Sequence, residues 1–256
     1  MVDNKIKLQR LLRDANFGSR REVDDLIASG KVLIGGKPAN LGAYVTLKDK
    51  VTVDGKKITV RTPMETVTKV IIYNKPTGQV STRSDEQDRP TVYDNLPEVD
   101  GKVLINIGRL DINTSGLMLF TNNGELANRL MHPKYEIQRE YLVRVLGEMN
   151  FEKQRLLTSG KLMLDGESAA FGSIRRHKTK VSSANNWYKT TLRSGKFREV
   201  RNLFKEVDCR VSRLIRITYG TVSLPKTLKQ GEFEELEQKG VNKLLYMVGL
   251  GNEAQS

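Results

Sequence analysis

In the run GRLDINTSGLMLFTNNGELANRL, residues 108–130, Asp111 follows an arginine at the end of an extended stretch and precedes the small polar residues Thr114, Ser115 and Gly116. Taken alone, an aspartate at such a place caps a turn. A carboxylate can also act as nucleophile or general base, and shielded from water it needs a cation close by to stay ionised. Cations are plentiful farther along. In SGKFREVRNLFKEV, Arg198, Arg201 and Lys205 follow i, i+3, i+7 spacing on a helix predicted over 199–207, which puts them on one face. Along the next strand, 209–219, alternation sends Val211, Ile215, Ile217 and Tyr219 one way. Ser212, Leu214, Arg216 and Thr218 go the other way, so Leu214 is an apolar residue on the polar side.

What the chain lacks removes whole reaction classes. Two histidines, His132 and His177, and the single Cys209 do not make a zinc site, and no metal is expected. There is no Walker loop and no GxGxxG after a strand, so nucleotide hydrolysis and dinucleotide chemistry are not indicated and no cofactor is expected. His132, ahead of Pro133, reads as a helix end. One cysteine allows no intramolecular disulfide and suits the cytoplasm. No window approaches the ~18 consecutive apolar residues of a membrane span, and MVDNKIKLQRLL is not a secretory leader. No membrane partner is expected, and the chain is expected to be a monomer.

Charge says more. Lys+Arg 43 against Asp+Glu 30 gives a formal +13 and a pI near 9.7. The excess is clustered: residues 1–62 carry 13 basic and 7 acidic side chains, residues 193–216 carry 8 and 3, and beyond 231 the balance turns acidic. Clustering of this kind is the footprint of a polyanion-binding surface, and nucleic acid is the expected polyanion.

The elements that must position these groups fall into two domains. In the first, expected over 1–62, Ile6, Leu8, Leu11, Leu12 and Ala15 recur at helical spacing and Gly18 supplies a left-handed stop. Ser19 and Glu22 form a capping box that opens a second helix, with Val23, Leu26 and Ile27 inward and Gly30 at its end. KVLI then enters a Gly35-Gly36 hairpin turn, and a closing strand is expected near Val51-Thr52-Val53. Two basic residues opening the second helix ahead of KVLIGGKPA resemble the S4 RNA-binding module. Ser19, Arg20, Arg21 and Lys31 are its expected RNA contacts, because a helix N-terminus with added cations suits phosphate.

Residues 63–67 read as a linker, 68–250 as the second domain and 251–256 as a frayed tail. Strands are predicted at Val70–Tyr73, halted by the Asn74-Lys75-Pro76-Thr77-Gly78 turn, and at Leu104–Leu110, Leu117–Thr121 and Tyr141–Leu146. Residues 79–101 form a polar loop able to reach over a substrate, and Asn122-Asn123-Gly124 opens a helix. The fold class is α+β: a small S4-like α+β domain, then a mostly antiparallel mixed sheet with flanking helices.

In order, GRLDINTSGLMLFTNNGELANRLMHP, REYLVRV, SGKFREVRNLF and VSRLIRITYG resemble the RsuA/RluB pseudouridine synthases over nearly the whole chain, most closely the branch acting on large-subunit ribosomal RNA. The resemblance implies that Asp111 is the catalytic aspartate and that Tyr141 stacks on the target uracil. It also implies that Arg201 pairs with Asp111, that Leu214 packs near the base and that Arg109 braces the loop. Lys196 and Arg198 are implied as further RNA contacts. Glu199 stands where other branches carry Gln, at the cost of one donor toward RNA. The expected partner is a stem-loop of large-subunit ribosomal RNA. Two rival readings are a non-catalytic RNA-binding or ribosome-assembly factor and a hydrolase of a nucleoside N-glycosidic bond; a synthase for a different ribosomal uridine is a third possibility.

Overall fold

The computed structural model describes residues 5–251 apart from 16, 19, 61–66, 84, 100–103 and 178–184. The chain divides into two compact units, 1–67 and 68–256.

In the first unit, β1 (Ile6–Lys7), α1 (Leu8–Asp14) and α2 (Arg20–Ala28) precede β2 (Val32–Ile34), β3 (Lys37–Pro38), β4 (Tyr44–Val45), β5 (Val51–Val53) and β6 (Lys56–Ile58). Gly35 and Gly36 both take positive φ, +58° and +83°, as a two-residue hairpin turn demands, and they join β2 to β3 with Ile34 opposite Lys37. The closing strand pairs as expected, Val32 opposite Val53. Leu8, Leu12, Val23, Ile27, Val32, Val45, Val51 and Val53 form the core. The first helix is shorter than its apolar spacing suggested: Ile6 belongs to β1, paired with Val45, and the helix stops at Asp14, well before Gly18. Ser19, and with it the expected capping box, lies outside the described residues, as do linker residues 63–66 and tail residues 252–256.

In the second unit a nine-stranded mixed sheet is built from β7 (Val70–Lys75), β8 (Ile105–Ile107), β9 (Ser115–Thr121), β10 (Arg139–Leu146), β13 (Ser173–His177), β14 (Asn185–Leu192), β15 (Arg210–Tyr219), β16 (Val222–Ser223) and β17 (Phe233–Glu235). The hairpin β11 (Leu162–Leu164) and β12 (Glu167–Ala169) stands apart, and the helices are α3 (Gly124–Met131), α4 (Phe151–Thr158), α5 (Glu199–Lys205) and α6 (Gln238–Met247). The sheet order is β13-β14-β10-β15-β9-β7-β17, with β9 parallel to β15 and the other paired strands antiparallel. Asn123 caps α3, its side chain accepting from the backbone N–H groups of Glu125 and Leu126.

Two expectations change here. β7 does not stop at Tyr73 but continues through Asn74 and Lys75, all six residues buried, because Lys75 pairs with Gly116 of β9. The alternation along β15 is also broken. Register shifts against β10 fall between Arg144/Val145 and between Glu140/Tyr141, so Val211, Leu214 and Arg216 stand opposite Val145, Val143 and Tyr141. Leu214 therefore shares a face with Val211 rather than with Ser212, since a bulge inserts an extra residue and resets the period.

Gly116 is where β9 and β15 come closest. It has φ +103°, and an added Cβ would lie 2.8 Å from the Arg216 nitrogen, 2.9 Å from Ile215 Cγ2 and closer still to the Arg216 carbonyl oxygen. Gly116→Ala is expected to lower the melting temperature of this unit by roughly 6–12 °C, the equivalent of about 3 kcal/mol. Gly166→Ala carries backbone strain alone, since φ is +80° with open space around it, and should cost about 1 kcal/mol. Calorimetry of both variants checks the difference; equal losses would remove the close approach as the reason for glycine at 116.

Candidate active site

One cross-strand row of the sheet runs Thr190 (β14), Tyr141 (β10), Arg216 (β15), Gly116 (β9) and Lys75 (β7). Directly paired residues send their side chains to the same face, and glycine in the middle leaves space between the two cations. Beside this row lies the loop from Gly108 to Thr114 that joins β8 to β9 and carries Asp111. Lys75 is wholly buried, and its ammonium donates to the carbonyls of Pro76 at 2.9 Å, Asp111 at 3.2 Å and Thr114 at 2.9 Å.

Every carbonyl from Leu110 to Thr114 is held by a donor from outside the loop. Ser81 Oγ donates to Leu110 O at 2.8 Å and Gly78 N–H to Ile112 O at 2.8 Å. Arg201 Nη2 donates to Asn113 O at 2.9 Å, and Lys75 takes Asp111 O and Thr114 O. Hydrogen bonds from charged donors contribute ~1.5–3 kcal/mol each, so the loop has little freedom. Its half-buried Asp111 side chain is left without an ion pair or hydrogen bond among the described residues.

This arrangement corrects the expected ion pair. Arg201 does not bond the Asp111 carboxylate. It donates to Asn113 O, and through Nη1 to Val211 O at 3.1 Å, tying α5, β15 and the loop together. The charges still feel each other: burial and the neighbouring Arg198 lower the Arg201 pKa, and Asp111 opposes that. Burial lowers Lys75 to about 8, with Asp111 pulling it up and Arg216 pushing it down. Two cations thus bias the place where the carboxylate sits without neutralising it by contact.

Tyr141 is half-buried at the seam between two cores, packing against the cluster of Val143, Leu203, Phe204 and Leu214 and against that of Tyr73, Leu110, Met118 and Phe120. Leu214 is buried in the first of these, on the Tyr141 face. Arg109 is exposed and braces nothing among the described residues; Ser81 and Lys75 do that work. Lys196 is held by an ion pair to Glu167 at 2.8 Å and a hydrogen bond to Ser168 O. Arg198 takes a left-handed conformation (φ +49°) at the N-cap of α5, so the helical face expected of Arg198, Arg201 and Lys205 does not form. Glu199 faces inward, accepting from Ser194 Oγ and Lys196 N, and its exchange for Gln has no bearing on an outward donor. In the first unit Arg20, Arg21 and Lys31 are exposed, and their side chains have no hydrogen-bond or ion-pair partner among the described residues. Ser19, the remaining expected contact there, is not described.

Sequence reasoning missed Lys75, Ser81 and Arg216. Arg216 is buried, donates from Nε to Leu117 O at 2.8 Å and lies 5.1 Å from the Tyr219 ring centre. A signal for Lys75 existed: it closes VIIYNK, a run too apolar to end at a surface turn. A cavity of about 320 Å³ in this unit is lined by Arg83, Tyr93, Leu96, Pro97, Glu98 and Leu104, and Asp111 is not part of its wall.

The depressed Lys75 pKa has a sign that can be checked. Between about 8, its folded value, and 10.5, its ordinary one, the unfolded chain binds more protons than the folded one. This group's contribution therefore rises with pH across that window and is least favourable below it, where the charge is carried in both states. Denaturant titrations should show the wild type gaining stability relative to Lys75→Met from pH 8 to 10; a constant difference would mean that Lys75 is not desolvated.

Residues 69–206 match the family model described as RNA pseudouridylate synthase, and residues 6–51 match that of the S4 domain. Among curated proteins, the chain is 46% identical over 252 residues to the ribosomal large subunit pseudouridine synthase B of Escherichia coli strain K12, covering 98% of this chain and 86% of that one. It is 44% identical over 246 residues to the protein of the same name from Buchnera aphidicola, covering 95% and 98%. A solved pseudouridylate synthase superposes with a TM-score of 0.63 at 23% identity over 93% of this chain and 99% of that one, a likeness of fold. With one family model spanning more than half of the chain and relatives well above 40% identity along nearly all of it, the chain belongs to the RNA pseudouridylate synthases that carry an S4 domain.

Proposed function

We propose that the chain isomerises a uridine of large-subunit ribosomal RNA to pseudouridine, with Asp111 as the catalytic carboxylate. The observation that carries this reading is the loop clasped through five successive carbonyls, which leaves the Asp111 carboxylate unpaired near two cations, with the adjoining Leu110 in the core cluster that Tyr141 packs against. The relatives' activity supports the substrate class.

The reaction breaks N1–C1′, turns the uracil and joins C5 to C1′, losing the C5 proton and gaining one at N1, with no net redox change and no energy input. Asp111 acts at the ribose, as nucleophile on C1′ or as base toward the 2′ proton, and either role requires an ionised, unpaired carboxylate. Lys75 and Arg201 place positive charge beside it. The target base leaves its stack at a cost of a few kcal/mol. Tyr141 offsets part of this by stacking, worth roughly 1–3 kcal/mol, with Leu214 supporting the tyrosine's face from the core. Arg20, Arg21 and Lys31, with Ser19, hold phosphates of the stem-loop, joined by Arg109 and Arg198 near the site; Lys196 contributes once released from Glu167. The protein works as a monomer.

Asp111→Asn should abolish tritium release from C5-labelled ribosomal RNA while leaving affinity within about two-fold; turnover retained in that variant would refute the assignment. Activity of the wild type should decline above about pH 8 as Lys75 loses its proton, even though the fold gains stability there from the same group. Arg20→Ala combined with Arg21→Ala should weaken binding and flatten its salt dependence by roughly one to two units of log–log slope. An unchanged slope in filter binding would count against phosphate contacts from the S4 helix.

A further inference from the structure

The sheet of the second unit has another face at its β13-β14-β10-β15 end, the reverse of the one bearing Tyr141. Register sends Arg175, Lys189, Leu142 and Ile215 to that side in one row. His177, Trp187, Arg144 and Arg213 form the adjacent row. Leu142, Trp187 and Ile215 are all partly exposed, and none belongs to a core cluster or packs against one. Buried apolar side chains in this unit gather on the other side of these strands, under α4 and α5.

The charges on this face are of one sign. Lys189 is paired with Glu140 at 3.0 Å, the single carboxylate of the neighbouring row. Arg144, Arg175 and Arg213 have no carboxylate within 4.0 Å and make no side-chain hydrogen bond among the described residues. Three unpaired guanidinium groups around a partly exposed indole on an open antiparallel sheet are the ingredients by which proteins hold single-stranded nucleic acid: an aromatic platform for a base and cations for the backbone. A duplex would not use the ring, and an acidic peptide would not need it.

We propose that this face binds a single-stranded RNA segment, one base stacked on Trp187 and the flanking phosphates on Arg144, Arg175 and Arg213. The proposal rests on the RNA substrate put forward above and adds a second contact, on the opposite side of the sheet from Tyr141. A substrate longer than the target stem-loop would engage both, its single-stranded flank passing around the β13 edge.

Trp187 is the only tryptophan of the chain, so its emission reports on this face alone. The experiment titrates the full chain with a short oligoadenylate, which has no uridine to enter the catalytic site, following both Trp187 emission and the anisotropy of a labelled oligonucleotide. Emission should be quenched as the oligonucleotide binds. Arg175→Gln with Arg213→Gln should raise Kd about ten-fold and reduce the salt slope by roughly 1.4, two contacts at ~0.7 each. Trp187→Phe should keep most of the affinity and Trp187→Ala lose about ten-fold or more. The proposal is overturned if anisotropy saturates with emission unchanged, if the arginine variant binds like wild type, or if a polyglutamate peptide quenches and RNA does not. Tritium release from an isolated stem-loop, measured on the same Arg175→Gln, Arg213→Gln protein, separates the two readings. Turnover there should match wild type, whereas absent turnover in the wild type itself would fail the synthase reading and leave the fluorescence result standing.

Discussion

The second unit depends on two cations, Lys75 buried and Arg201 half-buried, that spend their hydrogen bonds on backbone carbonyls. Lys75 and Arg201 reach the loop from different elements, one from β7 and one from α5, and take the carbonyls of Asp111, Thr114 and Asn113. Withdrawing an ammonium and a guanidinium from water costs several kcal/mol unless each donor finds an acceptor. Carbonyl acceptors meet that need for Lys75 and for both terminal nitrogens of Arg201, though not for its Nε, without consuming the carboxylate. A direct Arg–Asp pair would have held the side chain just as firmly and left it less available to a ribose.

The rest of the site follows from accommodating these cations. Lys75 is buried because β7 runs on beside β9, and β9 can approach β15 because residue 116 has no side chain. That approach brings Arg216 and Tyr141 into the same row. The fold therefore gathers positive charge on one side of a tyrosine and an aspartate on a clasped loop beside it. Part of the charge is titratable near pH 8, so the same burial that orders the loop sets an upper limit to the pH at which the field persists.

Local signals in the sequence were legible where they acted locally. Asn123 capping α3, the Gly35-Gly36 hairpin and the apolar core of β9 needed only neighbours within a few residues, and each formed as expected. The family motifs singled out Asp111, Tyr141 and Arg201 as members of one site. What could not be read was register and partner. Lys75 looked like part of a polar turn because its burial depends on Gly116 of another strand. The partner of Arg201 was misjudged because a carbonyl acceptor has no signature in the one-letter code. Val211 joined the face of Leu214 and Arg216 through bulges that exist only against β10. Residues 151–192 gave no expectation: β11 and β12 are three-residue strands, β13 is an edge strand, and β14 is an interior strand of mostly polar residues whose place comes from pairing rather than periodicity.

The claim at the centre is that Arg201 fixes the loop and not the RNA. The direct measurement is the single-turnover rate of pseudouridine formation by Arg201→Ala at saturating RNA, with Kd measured in parallel. A displaced loop should slow the rate by about a hundred-fold or more with Kd nearly unchanged. A weaker Kd with an undiminished saturating rate would make Arg201 an RNA contact and contradict the account.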